Sequence, residues 1–213
     1  MRFGALLLLG LLLALPAAAQ PRQPVIPAAL LAAFEATRAD PARLEQARRD
    51  GAGRAVFCAQ CHGEDGNSTR AYVPKLAGQN PAYLLEQLQR FADGRRNHYV
   101  MVPLALNMSD ADKVGLALHF AASALRPAEY NARLAARGAG LYREGCLRCH
   151  AADGRGEPGY ARLAGQQPEY LVNALNGYRA RDPRRGSAEM TAAVSGFDEA
   201  QLEALAHYAS SLR

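Results

Sequence analysis

The 213-residue sequence predicts an all-α fold built from two tandem copies of one unit, and three observations carry that expectation. Residues 58–125 recur as 146–213: "VPKLAGQNPAYLLEQL" (73–88) answers "YARLAGQQPEYLVNAL" (160–175), and "LALHFAASAL" answers "LEALAHYASSL". The offset stays between 87 and 89 residues from Cys58/Cys146 through Gly78/Gly165, Tyr83/Tyr170 and Met101/Met190 to Phe120/Tyr208. A long twofold repeat of this kind indicates tandem domains, not a solenoid. Helix signals punctuate both copies, and no alternating strand pattern bounded by turns occurs.

Within each copy the expected order is helix, motif, loop, helix, loop, helix. Segments 41–57 and 132–145 lead into the two cysteine motifs. Pro81 and Pro168, preceded by Asn80 and Gln167, suit the first turn of a middle helix. Ser109 and Asp198, each with a carboxylate or carboxamide three residues on (Asp112, Gln201), read as capping boxes of the last helices. The copies meet near "LRPAEYN" (125–131), where Pro127 closes one helical pattern before another begins.

The N-terminus, "MRFGALLLLGLLLALPAAAQ", has the basic start, apolar run and small-residue end of a secretory signal peptide, 1–19, cut after Ala19. No later stretch approaches the ~18 consecutive apolar residues of a membrane span, so at most peripheral membrane association is expected. Charge is spread evenly: residues 20–125 carry 12 basic and 10 acidic side chains, as do 126–213. Neither half holds a basic tract or aromatic-interleaved patch, so nucleic acid is not a partner on this reading.

All four cysteines fall in two motifs, "CAQCH" (58–62) and "CLRCH" (146–150). A zinc ribbon would bring its pairs far closer than Cys61 and Cys146. A redox C-x-x-C would need βαβ elements. Covalent haem attachment uses the histidine as well. Two cysteines three apart on a helical turn face one way and form thioethers with the two vinyl groups of one haem, and the next residue turns its imidazole to the iron. Cys58 and Cys61 therefore attach one haem c and Cys146 and Cys149 a second, with His62 and His150 as proximal metal ligands. Each half is small enough to need such a staple. For the sixth position, Met101 and Met190 stand in register, each in a polar loop before the final helix. His98 has no twin and offers a bis-His alternative in the first half alone. Met108 precedes the cap Ser109 and reads as apolar packing, and the twins His119 and His207 read as solvent-facing helix residues.

These stretches, with "CAQCHGEDGNS", "PKLAGQ", "YLLEQL" and "MVPLALNMSD" followed by a weaker second series, resemble the two-haem cytochrome c4 family over residues 44–213. The resemblance implies two cytochrome c-like domains, 44–125 and 131–213, packed about a pseudo-twofold axis. It implies a periplasmic electron carrier serving terminal oxidases, with iron ligands at the Met101 and Met190 positions. The sequence departs from the pattern twice. Residues 20–43 form an extension with a short apolar helix, expected to pack and not to dock a partner. Ala161 stands where the family has the proline represented by Pro74, whose carbonyl meets the proximal imidazole; the bond is expected to persist with less fixed geometry. A carrier with two closed irons, an enzyme such as a peroxidase or thiosulfate oxidase, and a haem subunit of a dehydrogenase such as a flavocytochrome are the competing functions. The absence of a spare cysteine and a methionine for each iron favour the carrier, with redox proteins (a terminal oxidase, a quinol-oxidising complex or a dehydrogenase) as partners.

Overall fold

A computed structural model describes residues 24–156 and 159–213; the expected signal peptide lies outside them. The described residues contain helices and no strands. In chain order they are α1 (Ala28–Ala39), α2 (Pro41–His62), α3 (Pro81–Ala92), α4 (Met101–Leu106), α5 (Asp110–Ala122), α6 (Ala132–Gly145), α7 (Leu147–His150), α8 (Pro168–Arg179), α9 (Ala188–Val194) and α10 (Glu199–Ser211).

The helix ends follow the local chemistry. Pro41 stops α1 and opens α2, and the Asp40 carboxylate accepts from the N–H groups of Ala42 and Arg43 (2.9 and 3.1 Å). Both capping boxes form, Ser109 with Asp112 and Asp198 with Gln201. Pro81 and Pro168 occupy first turns as expected, yet Asn80 and Gln167 do not cap with their side chains. Two expectations need correction. Met101 and Met190 lie in short helices, α4 and α9, not in polar loops. A helix of one or two turns is too short to leave a periodic pattern in sequence, and α9 is held by the Ser187 hydroxyl accepting from Met190 N–H (3.3 Å). His119 and His207 are not simply solvent-facing. His119 is half-buried at the α2–α5 crossing, and His207 Nδ1 accepts from the Asn131 N–H at the start of α6 (3.0 Å).

Each half has its own core. The first gathers Leu84, Leu85, Val114, Leu116, Leu118 and Phe120, and α1 adds Leu30 and Phe34, both fully buried. The extension's helix thus packs on the first half. The second core centres on Tyr142, Leu171, Val194, Leu202 and Leu205. In both, the helix that runs into the motif (α2, α6) crosses the last helix (α5, α10) at a glycine. A Cβ at Gly51 would stand 2.1 Å from the Gly115 carbonyl oxygen, and one at Gly138 would stand 2.2 Å from that of Ala204. The clash is with backbone, so the helices must separate. Gly138→Ala should therefore lose about 3 kcal/mol, at the upper end of overpacking costs, read as a lowered denaturant midpoint.

The halves meet through a reciprocal exchange. Gln166 Oε1 accepts from Lys75 N–H (2.7 Å) while its Nε2 donates to Lys75 O (2.9 Å). Its twin Gln79 accepts from Arg162 N–H (2.6 Å) and donates to Arg162 O (2.9 Å). Asn80 and Gln167, released from capping, donate across to Tyr160 O (2.9 Å) and Ser68 O (2.7 Å). Such pairings satisfy buried backbone groups as a strand ladder would. Each group left unpaired costs about 1–3 kcal/mol. The double change Gln79→Ala, Gln166→Ala should separate the halves, and small-angle scattering should record a larger radius of gyration with helix content unchanged.

Candidate functional site

Two equivalent sites follow from this duplication. His62 and His150 end the motif helices and are buried, 9% and 7% exposed. The Nδ1 of His62 lies 2.9 Å from Pro74 O, and that of His150 lies 2.8 Å from Ala161 O. A carbonyl only accepts, so each Nδ1 carries the proton and each Nε2 keeps its lone pair. Burial lowers both histidines below the ordinary imidazole range, favouring the neutral form that coordinates iron. Ala161 holds its histidine as closely as Pro74 does, because the carbonyl and not the ring makes the bond. The loops that supply these carbonyls close the same way: Leu76 N–H donates to Gly66 O and Leu163 N–H to Gly154 O, both 2.7 Å.

Cys58, Cys61, Cys146 and Cys149 are half-buried and none is in a disulfide. Burial raises the thiols of Cys58 and Cys146, the latter to about 11, so they are neutral at pH 7. Among the described residues no three His, Cys, Asp or Glu side chains form a metal-ion cage, so the two pairs do not converge on one zinc. An apolar cavity of about 210 Å³ opens beside Cys58, lined by Phe57, Pro103, Leu104, Met108 and Leu116. Met190 packs against the second core together with Cys146. Met101 begins α4, half-buried, and it is Met108 that lines the cavity beside Cys58. His98 is exposed and stacked on Tyr99.

Sequence reasoning missed a further cluster. Arg96 donates to Gln87 Oε1 (2.7 Å) and to the Tyr170 hydroxyl (3.2 Å), while Arg185 lies over the Tyr170 and Tyr178 rings. Burial pushes the Tyr170 phenol up, but Arg96 and Arg185 outweigh it and bring it to about 8. Among the described residues neither guanidinium has a carboxylate within ion-pair distance. Two half-buried cations without a counter-charge, one from each half, suit a carboxylate-bearing group such as the propionates of haem. The signal was present: Arg96 and Arg185 keep the repeat's offset, as do Tyr83 and Tyr170. Thiols, neutral imidazoles and this cationic cluster all fit haem c.

Comparison with known proteins agrees. The sequence model of the cytochrome c family matches residues 135–213. Cytochrome c4 of Thiocapsa roseopersicina is 32% identical over 73% of this chain and 86% of its own length. That of Pseudomonas aeruginosa is 36% identical over 61% of this chain and 69% of its own. The chain belongs to the cytochrome c4 family. The crystal structure of reduced recombinant cytochrome c4 from Pseudomonas stutzeri superposes with a TM-score of 0.74 at 30% identity, covering 78% of this chain and 98% of that one. This member of the family is thus an all-α electron-transfer protein with covalently bound haem c at two sites. A thiosulfate dehydrogenase electron acceptor of Stutzerimonas stutzeri is also similar, 34% identical over 85% of this chain and 90% of its own length.

Proposed function

We propose that residues 44–125 and 131–213 are two cytochrome c-like domains. In them Cys58 with Cys61 and Cys146 with Cys149 form the thioethers, His62 and His150 are the proximal ligands, and Met101 and Met190 close the sixth positions. Haem c supplies a one-electron couple at each site. The chain orients each imidazole through its Nδ1–H bond and places Arg96 and Arg185 to neutralise carboxylates. The observation that carries this reading is the matched pair of buried histidines, each held through Nδ1, which leaves the Nε2 lone pair for a metal. With both irons closed by thioether sulfur, the protein is a carrier and not an enzyme.

The signal-like N-terminus supports export to the periplasm, where redox proteins deliver and accept the electrons. A terminal oxidase is the acceptor this family relationship favours. The similarity to a thiosulfate dehydrogenase electron acceptor supports a second reading, acceptance from a periplasmic dehydrogenase. Spectra recorded through a redox titration should give two one-electron waves of low-spin haem. Mixing with a terminal oxidase or with a thiosulfate dehydrogenase plus thiosulfate separates the two readings, by oxidation of the haems in the first and reduction in the second. The balanced charge of the halves predicts only a shallow fall of these rates with added salt; a steep fall would reveal a local charged patch.

A further inference from the structure

The two motifs end differently. In the first half the residue after the histidine is Gly63, at φ 81° and ψ 153°. In the second it is Ala151, at φ 60° and ψ 168°. This corner of backbone space is open to glycine and strained for any residue with a Cβ. Something must hold Ala151 there. The neighbour in position to do so is Tyr142, on α6 and 1% exposed. Its hydroxyl donates to Ala151 O (2.8 Å) and lies 3.3 Å from His150 O. The same two carbonyls also accept the Gly154 and Gly156 N–H groups (3.3 and 3.0 Å). The ring is fixed against Tyr208, with centroids 5.2 Å apart. At the equivalent place in the first half, four residues after the glycine of the helix crossing, stands Ala55, buried like Tyr142 but without a hydroxyl.

We propose that Tyr142 is a positioning residue for the second haem: its hydroxyl clamps the turn after His150, doing there what glycine does at Gly63. The proposal rests on the reading of His150 as proximal ligand. If the turn relaxed, the His150 carbonyl would swing, and the Nδ1–H bond to Ala161 O would lengthen with it. A weaker bond makes the imidazole a poorer electron donor to ferric iron, so the potential of that haem rises.

The test uses the full chain with both haems attached. Tyr142→Phe keeps the ring and removes the clamp. Expected is an upward shift of one midpoint potential with the other unmoved, at a haem content of two per chain. Ala151→Gly in that background should return the shifted wave to its original value, and Ala151→Gly alone should leave both waves in place. A loss of melting temperature would accompany any structural role, so the potentials and the rescue decide. Two unmoved waves in Tyr142→Phe, or a shift that glycine does not reverse, would overturn the clamp. Hyperfine-shifted His150 ring resonances in the unmodified oxidised protein check the ligand separately; their absence would sink the ligand assignment, and the clamp with it.

Discussion

Cys58→Ala combined with Cys61→Ala should leave residues 44–125 without stable structure while the second half stays folded. Below about 80 residues a single core supplies only some 3–5 kcal/mol. The first core depends on a handful of side chains, two of them, Leu30 and Phe34, borrowed from α1. On the assigned roles, the group bound at Cys58 and Cys61 would also cover the apolar surface of Phe57, Pro103, Leu104 and Leu116. Without the thioethers that surface stays wet and the neutralising partner of Arg96 goes too. Circular dichroism should fall towards half the native helix signal, and the remaining melt should belong to the second half. A compact, cooperative first half in such melts would refute the dependence.

The second large effect is expected at Met190. With Met190 on the iron, the reduced protein has no open position and ignores carbon monoxide. Met190→Ala leaves His150 and both thioether cysteines in place, so haem content stays at two. Loss of a soft thioether that favours ferrous iron should lower that potential. Carbon monoxide should then bind one equivalent, and Met101→Ala, Met190→Ala should bind two. In the first half the test discriminates further, because Met108 and not Met101 lines the cavity beside Cys58. Met101→Ala should open that iron and Met108→Ala should not; the reverse would move the ligand to Met108. A Met190→Ala protein that binds no carbon monoxide and keeps its methionine–iron charge-transfer band would remove Met190 from the site.

The motifs proposed to attach haem were legible because their meaning is local. C-x-x-C-H states its purpose within five positions, and the capping boxes and first-turn prolines state theirs within four. The constant offset made the duplication plain, and with it the all-α class. The short helices α4 and α9 look like loops in sequence because one or two turns leave no period to detect.

What only the tertiary structure decided lies between residues far apart in the chain. Gln166 meets Lys75 across 91 positions and Gln79 meets Arg162 across 83. The partner of each glutamine there is a backbone group, which any residue type supplies, so no complementary side chain marks it. The crossings at Gly51 and Gly138 needed the facing helix before their missing side chains had a reason. The cluster of Arg96, Arg185 and Tyr170 shares the repeat's offset, yet that no carboxylate among the described residues pairs with it is a fact of space. Ala151 is an ordinary residue by type. Its strain comes from a backbone angle, and the Tyr142 hydroxyl that holds it reaches carbonyls, so sequence could propose ligands for the iron but not what aims one of them.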